Sequence, residues 1–264
     1  SCFYYDDFLQ NRQDSALDAE FVHRCEQVKP DLVMASAILA LGDKNVRPEV
    51  YGHVKEGLKI PVVMVWFESA PDVVRYADCY APHVTANVFV DTRDYWRQFS
   101  KFPERGVGLY EPRDPALFNS TGQEVRDIPL SFVGTSFGRI DRALNLGLLH
   151  GKGVGVFKTE GQRLQRLSPL DYANLFRRSL VTLNFTSAVS FGHMTGRTAE
   201  STMCGACLLE TENDETPNIF DPYGDYVPFK ENFLWAGDGQ MGLRDGDMAK
   251  KALHYAYEHQ DDAK

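Results

Sequence analysis

The residues best suited to chemistry lie in one stretch, His193-Met194-Thr195-Gly196-Arg197-Thr198-Ala199-Glu200. It continues through Ser201-Thr202-Met203-Cys204-Gly205 into the apolar run Ala206-Cys207-Leu208-Leu209. Thr195 is the expected cap of a helix, Gly205 is expected to end it in the left-handed conformation, and the run that follows has the length of a buried parallel strand. Arg197 and Glu200 are three residues apart and share a face in the first turns of that helix, where the backbone dipole favours an anion. Two uses fit this spacing: a phosphate on Arg197 with a pair of hydroxyls on Glu200, or an ordinary surface ion pair, which is worth little.

A second loop of the same kind is Gly134-Thr135-Ser136-Phe137-Gly138-Arg139. Gly134 and Gly138 permit close backbone approach, Thr135 and Ser136 add hydroxyls, and Arg139 opens the next helix with a guanidinium fork. The loop reads either as a phosphate cradle or as a plain turn between strand and helix. His193 stands in a Gly-flanked loop ahead of the Arg197 helix, as a proton-transfer candidate or simply an exposed histidine. Glu68, in Trp66-Phe67-Glu68-Ser69-Ala70-Pro71-Asp72, is a candidate base for taking a proton from a hydroxyl nucleophile, or else a residue that caps the following turn. Asp91 and Glu111 also follow strand-like runs.

Two further motifs have simpler readings. Asp245-Gly246-Asp247 has the form of a cation-binding pair but directly precedes a helical segment, so a capping role is favoured and no metal is assigned. Cys204 and Cys207 form a Cys-x-x-Cys, but no second Cys or His pair follows at zinc-site spacing, so both are assigned to core packing.

The elements that must position these residues alternate along the chain. Helical periodicity covers residues 15–28, 48–57, 140–148, 168–178 and 247–259, and 92–99 also reads as helical. Strand-like runs cover 31–36, 60–66, 77–80, 84–90, 106–110, 130–133, 154–157, 180–185 and 206–209. Alternation of this kind argues for parallel strands with crossover helices, hence an α/β fold with two Rossmann-like domains. The stretch 111–127 is rich in Pro, Asn, Ser, Gly and charge. It places a domain boundary near Gly122, giving an amino-terminal domain at 1–122 and a carboxy-terminal domain at 123–264.

Composition narrows the function. The 264 residues carry 37 acidic and 28 basic side chains, a formal charge of −9, and no basic run long enough to track a nucleic-acid backbone. Nucleic acid is therefore not an expected partner. No uninterrupted apolar stretch is long enough to span a bilayer, no signal peptide opens the chain, and five irregularly spaced cysteines point to reduced thiols. The expected location is the cytoplasm. The chain opens without methionine, in Cys2-Phe3-Tyr4-Tyr5-Asp6-Asp7, which reads as a fragment of something longer or a processed chain.

Four segments occur in register: Leu130-Ser131-Phe132-Val133-Gly134-Thr135-Ser136-Phe137-Gly138-Arg139; Leu167-Ser168-Pro169-Leu170-Asp171-Tyr172-Ala173; Leu183-Asn184-Phe185-Thr186; and Gly196-Arg197-Thr198-Ala199-Glu200 with Cys204-Gly205-Ala206. Together they resemble the nucleotide-sugar-binding half of CgeB-type glycosyltransferases, a GT-B family related to group 1 transferases. The resemblance covers residues 128–229 well and the earlier half loosely. It implies two Rossmann-like domains facing a cleft, a nucleoside-diphosphate-sugar donor, and a hydroxyl acceptor on a glycan, lipid or protein. It also implies transfer without a metal or other cofactor.

On that resemblance Gly134, Thr135, Ser136, Gly138, Arg139 and Arg197 hold the diphosphate, and Glu200 takes the ribose hydroxyls as the second Glu of the family's pair. The first Glu of the pair is replaced here by Gly192, with His193 beside it. That departure keeps a second reading open, a noncatalytic nucleotide-sugar binding module. A third is an unrelated α/β enzyme using Cys204 or Cys207.

Overall fold

Two sets of alternating helices and strands, each built on its own parallel sheet, make up the computed structural model. It describes residues 14–39, 45–122, 125–134, 136, 140–151, 157–159, 167–186, 192–235, 241–243 and 247–258. The chain divides into compact units at Glu111/Pro112.

The first unit holds α1 (Asp14–Val28), β1 (Val33–Ala35), α2 (Pro48–Glu56), β2 (Val62–Trp66), α3 (Pro71–Tyr80), β3 (Ala86–Val90) and β4 (Gly106–Leu109). Its strands are parallel in the order β1-β2-β3-β4. Residues 77–80, read from sequence as strand, are instead the last turn of α3. Pro71 at the start of that helix forfeits no hydrogen bond, and Val74, Ala77 and Tyr80 fall on one buried helical face; in a strand Ala77 and Tyr80 would point to opposite faces.

The helix expected over 92–99 is only a 3-10 turn at Tyr95–Gln98. What fixes it is the buried Trp96 ring, stacked on Phe89 with ring centroids 4.7 Å apart. The neighbouring strand β4 needs glycine: a Cβ on Gly106 would stand 2.2 Å from the Trp96 ring, and one on Gly108 2.0 Å from the carbonyl oxygen of Arg93. Backbone cannot swing aside as a side chain can. Gly108→Ala is therefore expected to destabilise the protein by about 2 kcal/mol, read as a lower urea midpoint with an unchanged m-value.

The second unit holds β5 (Ile128–Val133), α4 (Ile140–Gly151), β6 (Phe157–Thr159), α5 (Pro169–Arg178), β7 (Ser179–Asn184), α6 (Gly196–Met203), β8 (Cys207–Thr211), β9 (Tyr226–Phe229), the hairpin β10 (Phe233–Trp235) with β11 (Met241–Leu243), and α7 (Asp247–Glu258). Its main sheet is parallel in the order β6-β5-β7-β8-β9. Leu146, Leu149, Met248 and Ala252 pack with Leu130, Phe132 and Leu183, whereas Ala173, Phe176 and Cys204 pack with Ile128 and Val133. Both faces of the sheet are thus covered, as parallel sheets require.

The boundary lies earlier than the Gly122 expected from composition because residues 117–119 are tied into the second unit. The guanidinium of Arg177 donates to the carbonyls of Leu117 and Asn119, and Phe118 packs edge-on against Tyr172. Helix α5 starts as expected, with Ser168 Oγ accepting from the Asp171 amide at 3.1 Å. Helix α4 turns an unexpected face inward. Ile140 and Leu144 are exposed, and Asp141, Arg142 and Asn145 are buried. Arg142 donates to the Phe185 carbonyl at 3.0 Å and lies over the Phe132 and Phe185 rings, while Asn145 donates to the Asp141 carbonyl and accepts from the Asn232 amide. Such partners make burial of these polar groups tolerable. No helix among the described residues is long and apolar enough to cross a membrane.

Candidate functional site

The strand order points to a candidate site before any side chain is considered. From β5 the chain crosses to β6 on one side and then returns to β7 on the other, so the connections diverge between β5 and β7. Ligands of parallel α/β sheets bind beyond the carboxyl ends of strands at such a switch point. Here those ends carry the loop that begins at Gly134 and the loop that leads from Phe185 to α6. The described strands of the first unit succeed one another without a reversal. Glu68 stands exposed in the loop after β2, at a carboxyl end but beside no switch point.

Two of the expected phosphate groups meet at this place. A Cβ on Gly134 would lie 3.2 Å from Arg197 Nη1 and 3.1 Å from the tip of the Phe132 ring, so the Arg197 guanidinium rests against the bare backbone of Gly134. Ser136 is half-buried nearby in sequence, whereas Thr135, Gly138 and Arg139 lie outside the described residues. His193 is half-buried just ahead of α6.

Helix α6 ends as expected. Gly205 has φ of 75°, its amide bonds to the Thr202 carbonyl, and Arg126 donates to the Cys204 and Ser179 carbonyls. The expected cap at the other end is corrected: Thr195 occupies the capping position, but its hydroxyl makes no cap bond and instead accepts from Asn184 Nδ2 at 2.6 Å. Cys204 is fully buried with its thiol toward the Ala173 carbonyl, and burial pushes the half-buried Cys207 thiol upward, so neither is presented as a nucleophile. Asp247 lies in the first turn of α7, where its carboxylate accepts from the Lys230 amide and pairs with Lys251; Asp245 is outside the described residues.

Arg197 and Glu200 do not pair with each other. Arg197 Nε donates to Asn184 Oδ1 at 3.0 Å. Glu200 Oε2 accepts from the Tyr172 hydroxyl at 2.6 Å, and Glu200 Oε1 lies 3.2 Å from Arg113 Nε. Burial and the Glu200 charge hold the Tyr172 phenol well above its ordinary range. The side chains of Arg113 and Glu200 are only 9% and 14% exposed, so this ion pair is not the surface pair that spacing allowed. A Cβ on Gly196 would stand 1.9 Å from Arg113 Nη2, which shows the guanidinium lying across the amino end of α6. An ionised carboxylate has about four lone-pair sites, so Glu200 can accept ligand hydroxyls while keeping Tyr172.

Sequence reasoning assigned no individual role to Arg113, Tyr172, Asn184 or Glu210. Arg113 reaches Glu200 from the Pro-rich stretch, with no local periodicity to announce it. Glu210 is fully buried near the end of β8, where it accepts from Asn184, Thr198 and Thr216. Loss of water pushes its carboxyl up to about 7, against the lowering effect of those three hydrogen bonds.

Comparisons with known proteins bear on the fold. Residues 140–264 match the family model described as Glycosyl transferase-like. No curated protein matches the sequence. Among solved structures, HepE of Anabaena in complex with UDP-glucose is similar over 96% of this chain and 75% of its own, at 11% identity with a TM-score of 0.61. HepE in complex with UDP and glucose gives 94% and 74% coverage, 12% identity and a TM-score of 0.61. Sucrose-phosphate synthase from Thermosynechococcus elongatus gives 94% and 68% coverage, 10% identity and a TM-score of 0.56. At such identities the likeness is one of fold. Residues 140–264 thus match a glycosyl transferase-like model, and the chain has an α/β fold with parallel sheets similar to that of HepE and sucrose-phosphate synthase.

Proposed function

We propose that this chain moves a sugar from a nucleoside-diphosphate-sugar donor to an acceptor hydroxyl, without a metal ion. The observation that carries the reading is the Arg197 guanidinium resting on Gly134 at the switch point, on the same helix as Glu200. Arg197, with Arg139 from the Gly134 loop, supplies the positive charge for the donor's diphosphate, aided by the amino end of α6. Glu200, oriented by Tyr172 and Arg113, accepts the two ribose hydroxyls. HepE binds UDP and UDP-glucose, which makes uridine nucleotides the first donors to try.

In the transfer the bond between the anomeric carbon and the phosphate oxygen breaks, and the nucleoside diphosphate leaves with the electron pair. The acceptor oxygen forms the new bond to the anomeric carbon. Its proton goes to a base such as His193 in an inverting course, or to the departing phosphate oxygen in a retaining one. A CgeB-type relative is the specific family assigned, and the cytoplasm the compartment.

Gly192, in place of the sugar-facing Glu of the resembled family, favours the second reading, a binding module without turnover. One assay separates the two. Incubation with UDP-, GDP-, ADP- and TDP-sugars, with pooled glycan and lipid acceptors, is expected to release one nucleoside diphosphate, in an amount that exceeds the enzyme on a molar basis. Saturable binding of a nucleotide sugar with no release would establish the binding module instead.

A further inference from the structure

The polar groups behind Arg197 fix one another in sequence. Asn184 closes β7 and Glu210 is its registered neighbour on β8; they are 1% and 0% exposed. Glu210 Oε1 accepts from Asn184 Nδ2 at 2.8 Å and from Thr198 Oγ1 at 2.7 Å, and Oε2 accepts from Thr216 Oγ1 at 3.0 Å. A carboxylate presents only acceptors, so the Asn184 amide must turn its NH2 toward it. That choice leaves Oδ1 as the amide's one acceptor, and it takes Arg197 Nε at 3.0 Å. With the amide flipped, an oxygen would face the carboxylate and an NH2 would face the guanidinium, two repulsive contacts in place of two bonds. Thr195 Oγ1, accepting from the same NH2 at 2.6 Å, reinforces the orientation.

None of these bonds to Glu210 comes from a cation, and a carboxyl buried on hydroxyl and amide partners alone is a costly way to fill a sheet end. Arg197, held at Nε, keeps the rest of its fork turned toward Gly134. From this arrangement we infer that Glu210 and Asn184 are positioning residues. Through Asn184, Glu210 holds the Arg197 guanidinium in the plane and direction needed to take the diphosphate of the donor. The inference rests on the donor-site reading above and adds to it the buried pair that aims the phosphate-binding side chain. A guanidinium fork is effective against phosphate only when its plane is set beforehand, which is why the second pair belongs to the site and not merely to the sheet.

The test compares two ligands that differ only in the group Arg197 touches. UDP and uridine are titrated into the full chain as wild type, Arg197→Ala, Asn184→Ala, Glu210→Ala and Glu210→Gln; if another nucleoside diphosphate stabilises the wild type best, it and its nucleoside replace them. Asn184→Ala and Glu210→Ala are expected to weaken the diphosphate at least about tenfold while the nucleoside stays within about twofold, matching the pattern of Arg197→Ala. Glu210→Gln is expected to recover most of the loss, because its carbonyl can accept the same Asn184 and Thr198 donors. Asn184→Ala added to Arg197→Ala should cost nothing further. Where Asn184→Ala does not fold, Asn184→Ser serves, since its hydroxyl cannot reach Arg197 Nε.

Equal weakening of diphosphate and nucleoside would reduce the pair to a structural role and overturn the inference, as would an unchanged ratio in variants where Arg197→Ala still lowers it. A folded wild type that binds no nucleoside diphosphate would overturn the donor-site reading itself.

Discussion

Replacing Glu210 by glutamine is expected to stabilise the protein by about 3 kcal/mol at pH 8 and by less than about 1 kcal/mol at pH 5. The sign follows from burial. The Glu210 carboxyl titrates near 7 in the fold against 4.5 as its ordinary value, because leaving water penalises the charged form more than the hydrogen bonds from Thr198, Thr216 and Asn184 favour it. A raised carboxyl pKa contributes stability that is fully present below the ordinary value and is lost as pH rises through the folded value. The wild type therefore loses stability between about pH 4.5 and pH 7, and glutamine, which does not titrate, is spared the loss. Its carbonyl can accept from Asn184 and Thr198, and its NH2 can face the Thr216 hydroxyl, which turns to accept. Urea unfolding at the two pH values measures the difference. An equal gain at both would show that Glu210 is not the titrating group.

Arg197→Ala is expected to lower affinity for the bound nucleoside diphosphate by about 10- to 100-fold, while the protein keeps most of its stability. The size is that expected for a charge-assisted hydrogen bond to phosphate from a side chain already bonded to Asn184 through Nε. Arg197→Lys should recover only part of the loss, because an ammonium keeps the charge but has no fork and no Nε for Asn184 to hold. Calorimetric titration at two salt concentrations checks both variants. Equal affinity in Arg197→Ala and wild type would remove Arg197 from the site.

The elements that build the site were legible where periodicity and end signals agreed. The Ser168 cap, the left-handed Gly205 and the apolar runs of β5, β7 and β8 all lie where their residue types require. The chain around Ala77 misled because Tyr76, Ala77, Cys79 and Tyr80, broken only by Asp78, suit a short strand, and only Val74 and Pro71 upstream reveal the helix. The buried face of α4 misled in another way: Arg142 and Asn145 go inside because tertiary partners satisfy them, which no local pattern records.

Of the candidate site, only some residues are conspicuous in sequence. Arg197, Glu200 and Gly134 stand out by type and spacing. Arg113 is 87 positions from Glu200, and Asn184 is 26 from Glu210, so their pairings exist only once the sheet has formed. Glu210 follows Leu208 and Leu209 directly, and a single acidic residue after an apolar run more often marks a strand leaving the core than one still inside it.

The most direct test of the donor site is a thermal-shift screen of wild type, Arg197→Ala and Glu200→Ala against UDP, GDP, ADP, TDP and their common sugar conjugates. Ligand bound to the native state raises the melting temperature by mass action. A donor site at the β5/β7 switch point predicts a rise with one nucleotide and its sugar conjugate in the wild type, reduced or lost in both variants. A folded wild type that shifts with none of them, or a shift that survives both substitutions, would contradict it.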